Sequence, residues 1–369
     1  MKKKISCTLF PLCENVHLIK DVGMIPFHLA KDHNYEVIIA TYRNGNYPYL
    51  ETEVKGVKLS FIKKITGIPT IDVLFFLLLN AYKIDLLQCF HLMKSSLIYI
   101  YFFKLLTFFS SRRKTYLKMD VGADLDESLP KTNWQRAVIR QIDLISVENT
   151  TFYEILSKDP LFAKRILYMP NGITCENADP ILYSEKKNYI LTVGRLGSYQ
   201  KSNHVLLQAF KNFCIRTGRR DWKLFLVGPI EGTIQRDFDT LFDGYSDIKS
   251  LVTFTGPVYD RKVLENYYRE SKLFVLSSKF EGFPLVFLEA LKNGCTILST
   301  DFHSAVDITK SGHHGFVYPI DDDAALSCLF KKLAIDDTFL ESRVLINQQE
   351  AITSYRWEEL VNDLHKRLS

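Results

Sequence analysis

From Asn188 onward the sequence switches repeatedly between unbroken apolar runs and apolar residues spaced three and four apart. The stretches "NYILTVGRL" (Asn188 to Leu196), "WKLFLVGP", "LVTFTGPV", "KLFVLSS" and "CTILST" are too continuously apolar for strands with one wet face. Between them, "NHVLLQAFKNFCIRTG" sets Val205, Leu206, Ala209, Phe210 and Phe213 on one helical face and stops at Gly218. "RKVLENYYRES" is a second helical stretch, and "PLVFLEALKNG" a third, with Pro284 in its first turn and Gly294 just past its end. Strand–helix alternation with strands buried on both faces predicts a parallel sheet covered by helices.

The first half alternates in the same way. "KISCTLFP", "YEVIIATY", "VKLSFIK", "DLLQCFH", "KTYLKMD" and "DLISVEN" read as strands, and "GMIPFHLAKD" and "SLIYIYFFKLLTFF" as helices. A chain of 369 residues exceeds one ordinary core. The segment Met169 to Asn188, rich in Pro, Asn and Gly, is the natural boundary. The expected fold is α/β, two tandem Rossmann-like domains over residues 1–170 and 171–354, with the carboxyl ends of their strands on a shared cleft.

Other features narrow the class. Seven cysteines stand alone, without CxxC pairs or zinc spacing, so a reduced, cytoplasmic protein is expected. "MKKKISCTLFPLC" is basic and then apolar, but it lacks a small-residue cleavage site and reads as a first strand. Ile71 to Leu87 is interrupted by Lys83 and Asp85, and Leu97 to Phe109 carries Lys104, so neither meets the roughly 20 apolar residues of a span. A helix packed in a core is expected for each. "SSRRK" directly after the second leaves attachment to a membrane surface open. Residues 1–170 hold 23 Lys and Arg against 16 Asp and Glu, an excess of +7, while the remainder carries −2. Such an excess suits an anionic partner, whether nucleic acid, an anionic membrane surface or a phosphorylated substrate, or a plain solvated surface.

The stretch "SSKFEGFPLVFLEALKNG" holds the most chemistry. If Pro284 starts a helix, the amides of Gly282, Phe283, Leu285 and Val286 lack intrahelical acceptors and, with the helix dipole, form an anion site. Gly282 lets a ligand come close to the backbone. Glu289 is the one carboxylate on an apolar helix, where it needs a ligand or a pairing with Lys292. Glu281 lies beside the turn. Eight helical residues rise about 12 Å, which is more than the roughly 5–9.5 Å between the carboxyls of a glycoside hydrolase. The two glutamates instead suit two parts of one long ligand. Arg195, next to Gly194, and Lys201 follow a strand end and supply cations there, as ligand contacts or as surface charges.

Taken in order, "YMPNGI", "ILTVGRLGSYQKSNHVLLQAF", "LFLVGP", "FTGPV" and "FVLSSKFEGFPLVFLEALKNG" resemble a family 4 glycosyltransferase with the GT-B fold. The resemblance implies a retaining transfer of a sugar from a UDP- or GDP-linked donor to a glycan or lipid-linked acceptor in surface polysaccharide or glycoconjugate assembly. It implies no cofactor, no metal and no nucleic-acid partner. By that similarity Arg195 and Lys201 contact the diphosphate, Glu289 holds the ribose and Glu281 the donor sugar. Gly194 and Gly282 to Val286, Phe283 and Pro284 included, line the phosphates and sugar, and the backbone near Val258 meets the base. "SYRWEELVNDLHKRL" looks like the last helix, about residues 355–369, which returns to the first domain. Two departures stand out. Gly23 alone remains of the glycine pair many relatives have in the first loop. Asp120 stands where many have a histidine, which leaves Asp120 and His91 as acceptor-side candidates, each also suited to a plain hydrogen-bonding role. "DLD" at 124–126 sits in a loop and is discounted as a metal element. An inactive nucleotide-sugar-binding scaffold is the alternative reading.

Overall fold

The computed structural model describes residues 3–110, 112–120, 125, 129–174 and 179–369. They form two compact units, Met1–Gly172 with Arg356–Ser369, and Ile173–Tyr355. The first contains β1 (Lys4–Leu9), β2 (Tyr35–Thr41), β3 (Lys58–Phe61), β4 (Leu86–Phe90), β5 (Lys114–Met119), β6 (Leu144–Val147) and β7 (Ile166–Tyr168). These pair in the order β3-β2-β1-β4-β5-β6-β7, every pair parallel. The second contains β8 (Lys187–Val193), β9 (Lys223–Val227), β10 (Val252–Gly256), β11 (Ser271–Leu276), β12 (Thr296–Thr300) and β13 (Gly315–Tyr318), ordered β10-β9-β8-β11-β12-β13 and again parallel. In each sheet the strand order reverses beside the first strand, between β1 and β4 and between β8 and β11. Loops leaving the carboxyl ends there part to opposite faces and open a crevice, the usual ligand position in such sheets.

Both sheets are covered on both faces, which is why their strands are unbroken apolar runs. In the first unit, the helices Pro69–Asn80 and Lys94–Leu106 cover one face through Val73, Leu77, Ile100 and Phe103. The helices Asp21–His33 and Trp357–Leu368 cover the other through Ile25, Leu29, Trp357 and Leu364. Gly172 lies so close to the Trp357 ring that a Cβ there would sit 2.7 Å from it. In the second unit Phe210, Trp222 and Phe330 fill one face, and Phe274, Phe287 and Leu288 the other.

Two expectations change. The apolar segment Ile71 to Leu87 is not one core helix. Its helix ends at Asn80, and Leu86 and Leu87 already belong to β4. The Asp85 carboxylate accepts the Ile5 amide at 2.8 Å, which fixes the turn against the start of β1. Leu78 and Leu79 stay exposed, as do Leu105 and Phe108 in the second segment. The helix Asp337–Ser354 escapes apolar periodicity because its buried face includes Asn347 and Gln348 beside Leu340, Val344 and Ala351. Six cysteines are unpaired, and Cys175 lies outside the described residues.

Asn347 serves a buried histidine. Its side-chain oxygen lies 2.8 Å from His314 Nδ1, and its amide donates to the carbonyl of Cys295 at 2.8 Å. Burial lowers the His314 pKa, with Asn347 and Glu350 pulling the other way. The folded histidine therefore resists a proton that the unfolded chain takes up near pH 6.5. Stability is full above that value and falls as pH drops toward the depressed folded pKa. The expected outcome is a melting temperature that declines between pH 7 and pH 5 more steeply in the wild type than in His314→Asn, read by calorimetry at both pH values.

Candidate active site

In the second unit the loop after β8 carries Gly194, Arg195 and Lys201, and it is held against the loop after β9 by backbone alone. The Gly194 amide donates to Val227 O at 2.9 Å, Leu196 N to Pro229 O at 2.8 Å and Glu231 N to Leu196 O at 2.7 Å. Two glycines permit this approach. Gly228, at φ +141°, would place a Cβ 1.9 Å from Gly194 O, and Gly197, at φ +97°, would place one 2.2 Å from Glu231 O.

The same loop is stitched to the one after β11. Lys279 N donates to Gln200 O at 2.7 Å, Ser277 Oγ to Lys201 O at 2.8 Å and Gln200 Nε2 to Phe280 O at 2.9 Å. The stitches bring Lys201 Nζ to 2.6 Å from Glu281 Oε1, with side chains only 15% and 13% exposed. Sequence reasoning placed these two on different parts of a ligand and did not foresee that they pair. Arg195 is half exposed, with Nη2 3.2 Å from Gln200 Oε1 and Nη1 3.8 Å from Glu231. Gly194 borders the Lys201 side chain, 3.7 Å from Nζ to where a Cβ would sit.

The helix Leu285–Lys292 begins at Pro284, which is its cap and not its first turn, and Asn293 closes it before Gly294 at φ +70°. Glu281 therefore stands four residues ahead of the helix, and the helical rise spans only part of the Glu281–Glu289 separation. Phe287 N donates to Pro284 O at 3.1 Å. Among the described residues no acceptor is paired with the amides of Gly282, Leu285 or Val286. These donors and the dipole stand together at one helix end, an arrangement that suits an anion. Lys186 steadies the far end. Its buried amine donates to Tyr268 O, Ser271 O and Asn293 O, at the carboxyl ends of the helices Arg261–Glu270 and Leu285–Lys292.

Glu289 does not pair with Lys292, which reaches Glu265 at 3.0 Å instead. Glu289 Oε2 accepts the Tyr268 hydroxyl at 2.8 Å. Burial raises the Glu289 pKa, and the Tyr268 hydrogen bond works against that rise. Val258, Leu285 and Val286 pack on the apolar cluster that holds Tyr268 and Phe287.

The first unit presents its candidates at the carboxyl edges of β4 and β5. His91 takes φ +61°, a left-handed conformation uncommon for a residue with a side chain, and its Nδ1 lies 3.8 Å from Asp120 Oδ2. The two acceptor-side candidates are thus neighbours. Phe10, after β1, packs against both His17 and His91, at 5.1 and 6.2 Å between ring centroids. Gly23 is not in the first loop. It is the third residue of the helix Asp21–His33, where a Cβ would meet Leu18 O at 2.1 Å, so packing requires glycine there. Asp124 and Asp126 lie outside the described residues. Among the described residues no three His, Cys, Asp or Glu side chains gather as for a metal ion.

Sequence reasoning missed a buried charge cluster beneath Asp120. Lys118, wholly buried, bonds Glu148 and lies 3.2 Å from both Asp21 Oδ2 and Asn171 Oδ1. Burial opposes the lysine charge, but Glu148 and Asp21 outweigh it and raise the Lys118 pKa. Burial pushes the Glu148 carboxyl up, with Lys118 pulling it back. A lysine inside the strand "KTYLKMD" and a glutamate at the end of "DLISVEN" were the available signal, since a buried charge requires a partner.

Residues 176–350, just under half of the chain, match the family model described as glycosyl transferases group 1. A Campylobacter jejuni protein named GalNAc-alpha-(1->4)-GalNAc-alpha-(1->3)-diNAcBac-PP-undecaprenol alpha-1,4-N-acetyl-D-galactosaminyltransferase is 28% identical over 190 residues, 50% of this chain and 49% of its own length. An Escherichia coli UDP-Gal:alpha-D-GlcNAc-diphosphoundecaprenol alpha-1,3-galactosyltransferase is 25% identical over 185 residues, 47% of this chain and 46% of its own. The chain thus spans about half the length of the curated relatives it matches. Among solved structures, Anabaena Alr3699/HepE in complex with UDP aligns with a TM-score of 0.73 at 15% identity, over 100% of this chain and 99% of that one. Sucrose-phosphate synthase from Thermosynechococcus elongatus aligns at 0.72 and 15%, over 99% and 98%. The fold is that of the GT-B glycosyltransferase structures, two Rossmann-like units in tandem.

The buried cluster gives a test of its own. Removing one partner of a buried pair leaves the other uncompensated and costs about 3–5 kcal/mol, whereas replacing both with apolar groups costs far less. Lys118→Met should lower urea-unfolding stability by that amount. Lys118→Met with Glu148→Leu should recover part of it, since Asp21 still loses its cation, as a double-mutant cycle would record.

Proposed function

We propose that the protein is a retaining, metal-independent hexosyltransferase that moves a sugar from a UDP- or GDP-linked donor to a lipid-linked or glycan acceptor in polysaccharide or glycoconjugate assembly, at the cytoplasmic side of a membrane. One observation carries this reading: at the crevice beside β8 and β11, Lys201 pairs with Glu281, Arg195 stands on the same loop, and the next helix, Leu285–Lys292, opens with amides unpaired among the described residues and carries Glu289 further along. Such a set suits a diphosphate joined to a sugar on one side and a nucleoside on the other. The names of the relatives, two of them transferases acting on diphospho-undecaprenol-linked glycans, support the acceptor class.

The chemistry follows from charge. As the glycosidic bond breaks, negative charge grows on the diphosphate. Arg195, Lys201 and the helix amides stabilise it as fixed donors in a site partly shielded from water. The departing phosphate oxygen takes the proton of the acceptor hydroxyl on the face it leaves, so no strong protein base is needed and configuration is retained. Asp120 and His91 orient the acceptor. The Glu281 carboxylate holds Lys201 in place before the donor arrives. Glu281 then faces the sugar as its ring gains positive character. Glu289, held by Tyr268, receives the ribose hydroxyls, and the backbone at Val258 meets the base.

Release of UDP or GDP from a panel of nucleotide sugars tests the reading. Donor binding without release would favour a scaffold protein instead. With cations in the role a metal plays elsewhere, activity should survive excess EDTA; loss restored by Mg²⁺ or Mn²⁺ would refute metal independence.

The two carboxylates should separate kinetically. Glu289→Gln weakens a contact common to ground and transition states, so it should raise the donor KM about tenfold with little change in kcat. Glu281→Gln removes a charge that matters as the bond breaks, and it also removes a carboxylate that competes with the diphosphate for Lys201. It should lower kcat about 10²-fold without raising KM to the same degree. The reverse pattern, with matched melting curves, would exchange the two roles.

A further inference from the structure

We propose that His17 is a specificity-determining residue on the acceptor side: a donor-only imidazole that holds one oxygen of the acceptor sugar while a neighbouring hydroxyl reacts. Calling that sugar the acceptor rests on the transferase reading. His17 stands where the crevice of the first sheet opens, on the segment that leaves the carboxyl end of β1. That segment is pinned along its length. Phe10 N donates to Ala40 O at 3.0 Å, Cys13 N to Thr41 Oγ1 at 3.1 Å and the Tyr47 hydroxyl to Cys13 O at 2.9 Å. Asn15 Oδ1 accepts the Tyr49 amide at 3.0 Å, at the first residue of the turn Asn15–Ile19 that carries His17.

The ring has one tautomer. His17 Nδ1 lies 2.8 Å from the Glu14 amide. A backbone N–H can only donate, so Nδ1 is bare and the proton of the neutral ring sits on Nε2. Burial lowers the His17 pKa, with Lys20 and His91 adding to the fall and Glu14 and Asp21 opposing it. The ring is therefore neutral at pH 7.5, with Nε2–H as its donor. Among the described residues nothing accepts that proton. Phe10 packs against both imidazoles, 5.1 Å from the His17 ring and 6.2 Å from the His91 ring, and stands edge-on to Phe90 at 5.9 Å. Rings with a few fixed polar groups among them are the lining a small-molecule site requires.

A fixed donor constrains the chemistry. Nε2 already holds its proton and cannot take that of the reacting hydroxyl. A hydrogen bond donated to the attacking oxygen would draw on the electron pair that attack needs. His17 therefore suits a different oxygen of the same sugar, one that is unchanged by the reaction, and by holding it selects which hydroxyl is presented.

The test reads the imidazole nitrogens of the whole chain, labelled with nitrogen-15 at histidine, by NMR at pH 7.5. The His17 signals, assigned by their loss in His17→Gln, should show a bare Nδ1 and a protonated Nε2. With UDP and GDP present to fill the donor site, methyl glycosides of glucose, galactose, N-acetylglucosamine and N-acetylgalactosamine are then titrated in. At least one should shift the Nε2 signal, and His17→Leu should bind it about tenfold more weakly. His17→Gln keeps an N–H donor and should recover most of that affinity, which a purely structural role would not allow. Both variants should keep the wild-type melting temperature and affinity for UDP or GDP. A protonated Nδ1, or signals moved by none of the four glycosides, would overturn the proposal. Signals moved by UDP or GDP alone would overturn it too and make His17 a donor contact. Release of UDP or GDP from nucleotide sugars by the wild type is measured separately. Release with an unresponsive His17 overturns the role of His17 and spares the transferase reading. A sugar-responsive His17 without release upholds the sugar contact and removes that reading.

Discussion

The arrangement of the second unit rests on backbone lying against backbone where Gly194 meets Gly228. A methyl group at Gly228 would occupy the place of Gly194 O. Because it is absent, the turn after β8 can lie on the turn after β9 and hold Leu196 by reciprocal hydrogen bonds. From that fixed point the chain reaches Gln200 and Lys201, which bind the turn after β11. Three loops become one layer above the crevice of the sheet. Side-chain contacts such as Lys201 with Glu281 are consequences of that layer and not its cause.

The first unit solves a similar problem by charge. Its sheet carries a lysine in β5 where an apolar residue would be expected, and Lys118 is accepted only because Asp21, Glu148 and Asn171 come from three other segments to surround it. The start of a helix, the end of β6 and the residues after β7 are thereby gathered under Asp120. The left-handed His91 stands on the same edge, with its amide bound to Lys118 O at 2.8 Å. Local strain at His91 persists because its neighbours determine its place.

What the sequence made legible followed from periodicity and from residues with one job. Continuous apolar strands, Gly218 and Gly294 in left-handed closing positions, and Pro284 at a helix start are local signals, and each stands at its expected boundary to within a residue. Partners far apart in sequence were another matter. Nothing near Glu289 announces Tyr268, twenty-one residues earlier, and Lys292 at helical spacing was a plausible but wrong partner. Gly23 stood at the junction of the first loop and the helix "GMIPFHLAKD", because the distance from "KISCTLFP" to that helix cannot be read from composition. The turn Asn15–Ile19 fills that distance and presses on it. Apolar side chains such as Phe109 and Leu79 counted toward a core, since a sequence records hydrophobicity but not which side of a helix is left uncovered.

The helix Trp357–Leu368 buries Trp357, Val361 and Leu364 in the first unit although the whole second unit precedes it in the chain. The chain passes from one unit to the other after Gly172 and back after Tyr355, and Ile173 N bonds Tyr355 O at 2.7 Å where the passages meet. During synthesis, then, the continuous second unit can reach its native state as it emerges. The first unit, begun earlier, waits with the surface of Asp21–His33 uncovered until Arg356 and the residues beyond have left the ribosome. For that interval the older half of the molecule is the one most in need of a chaperone.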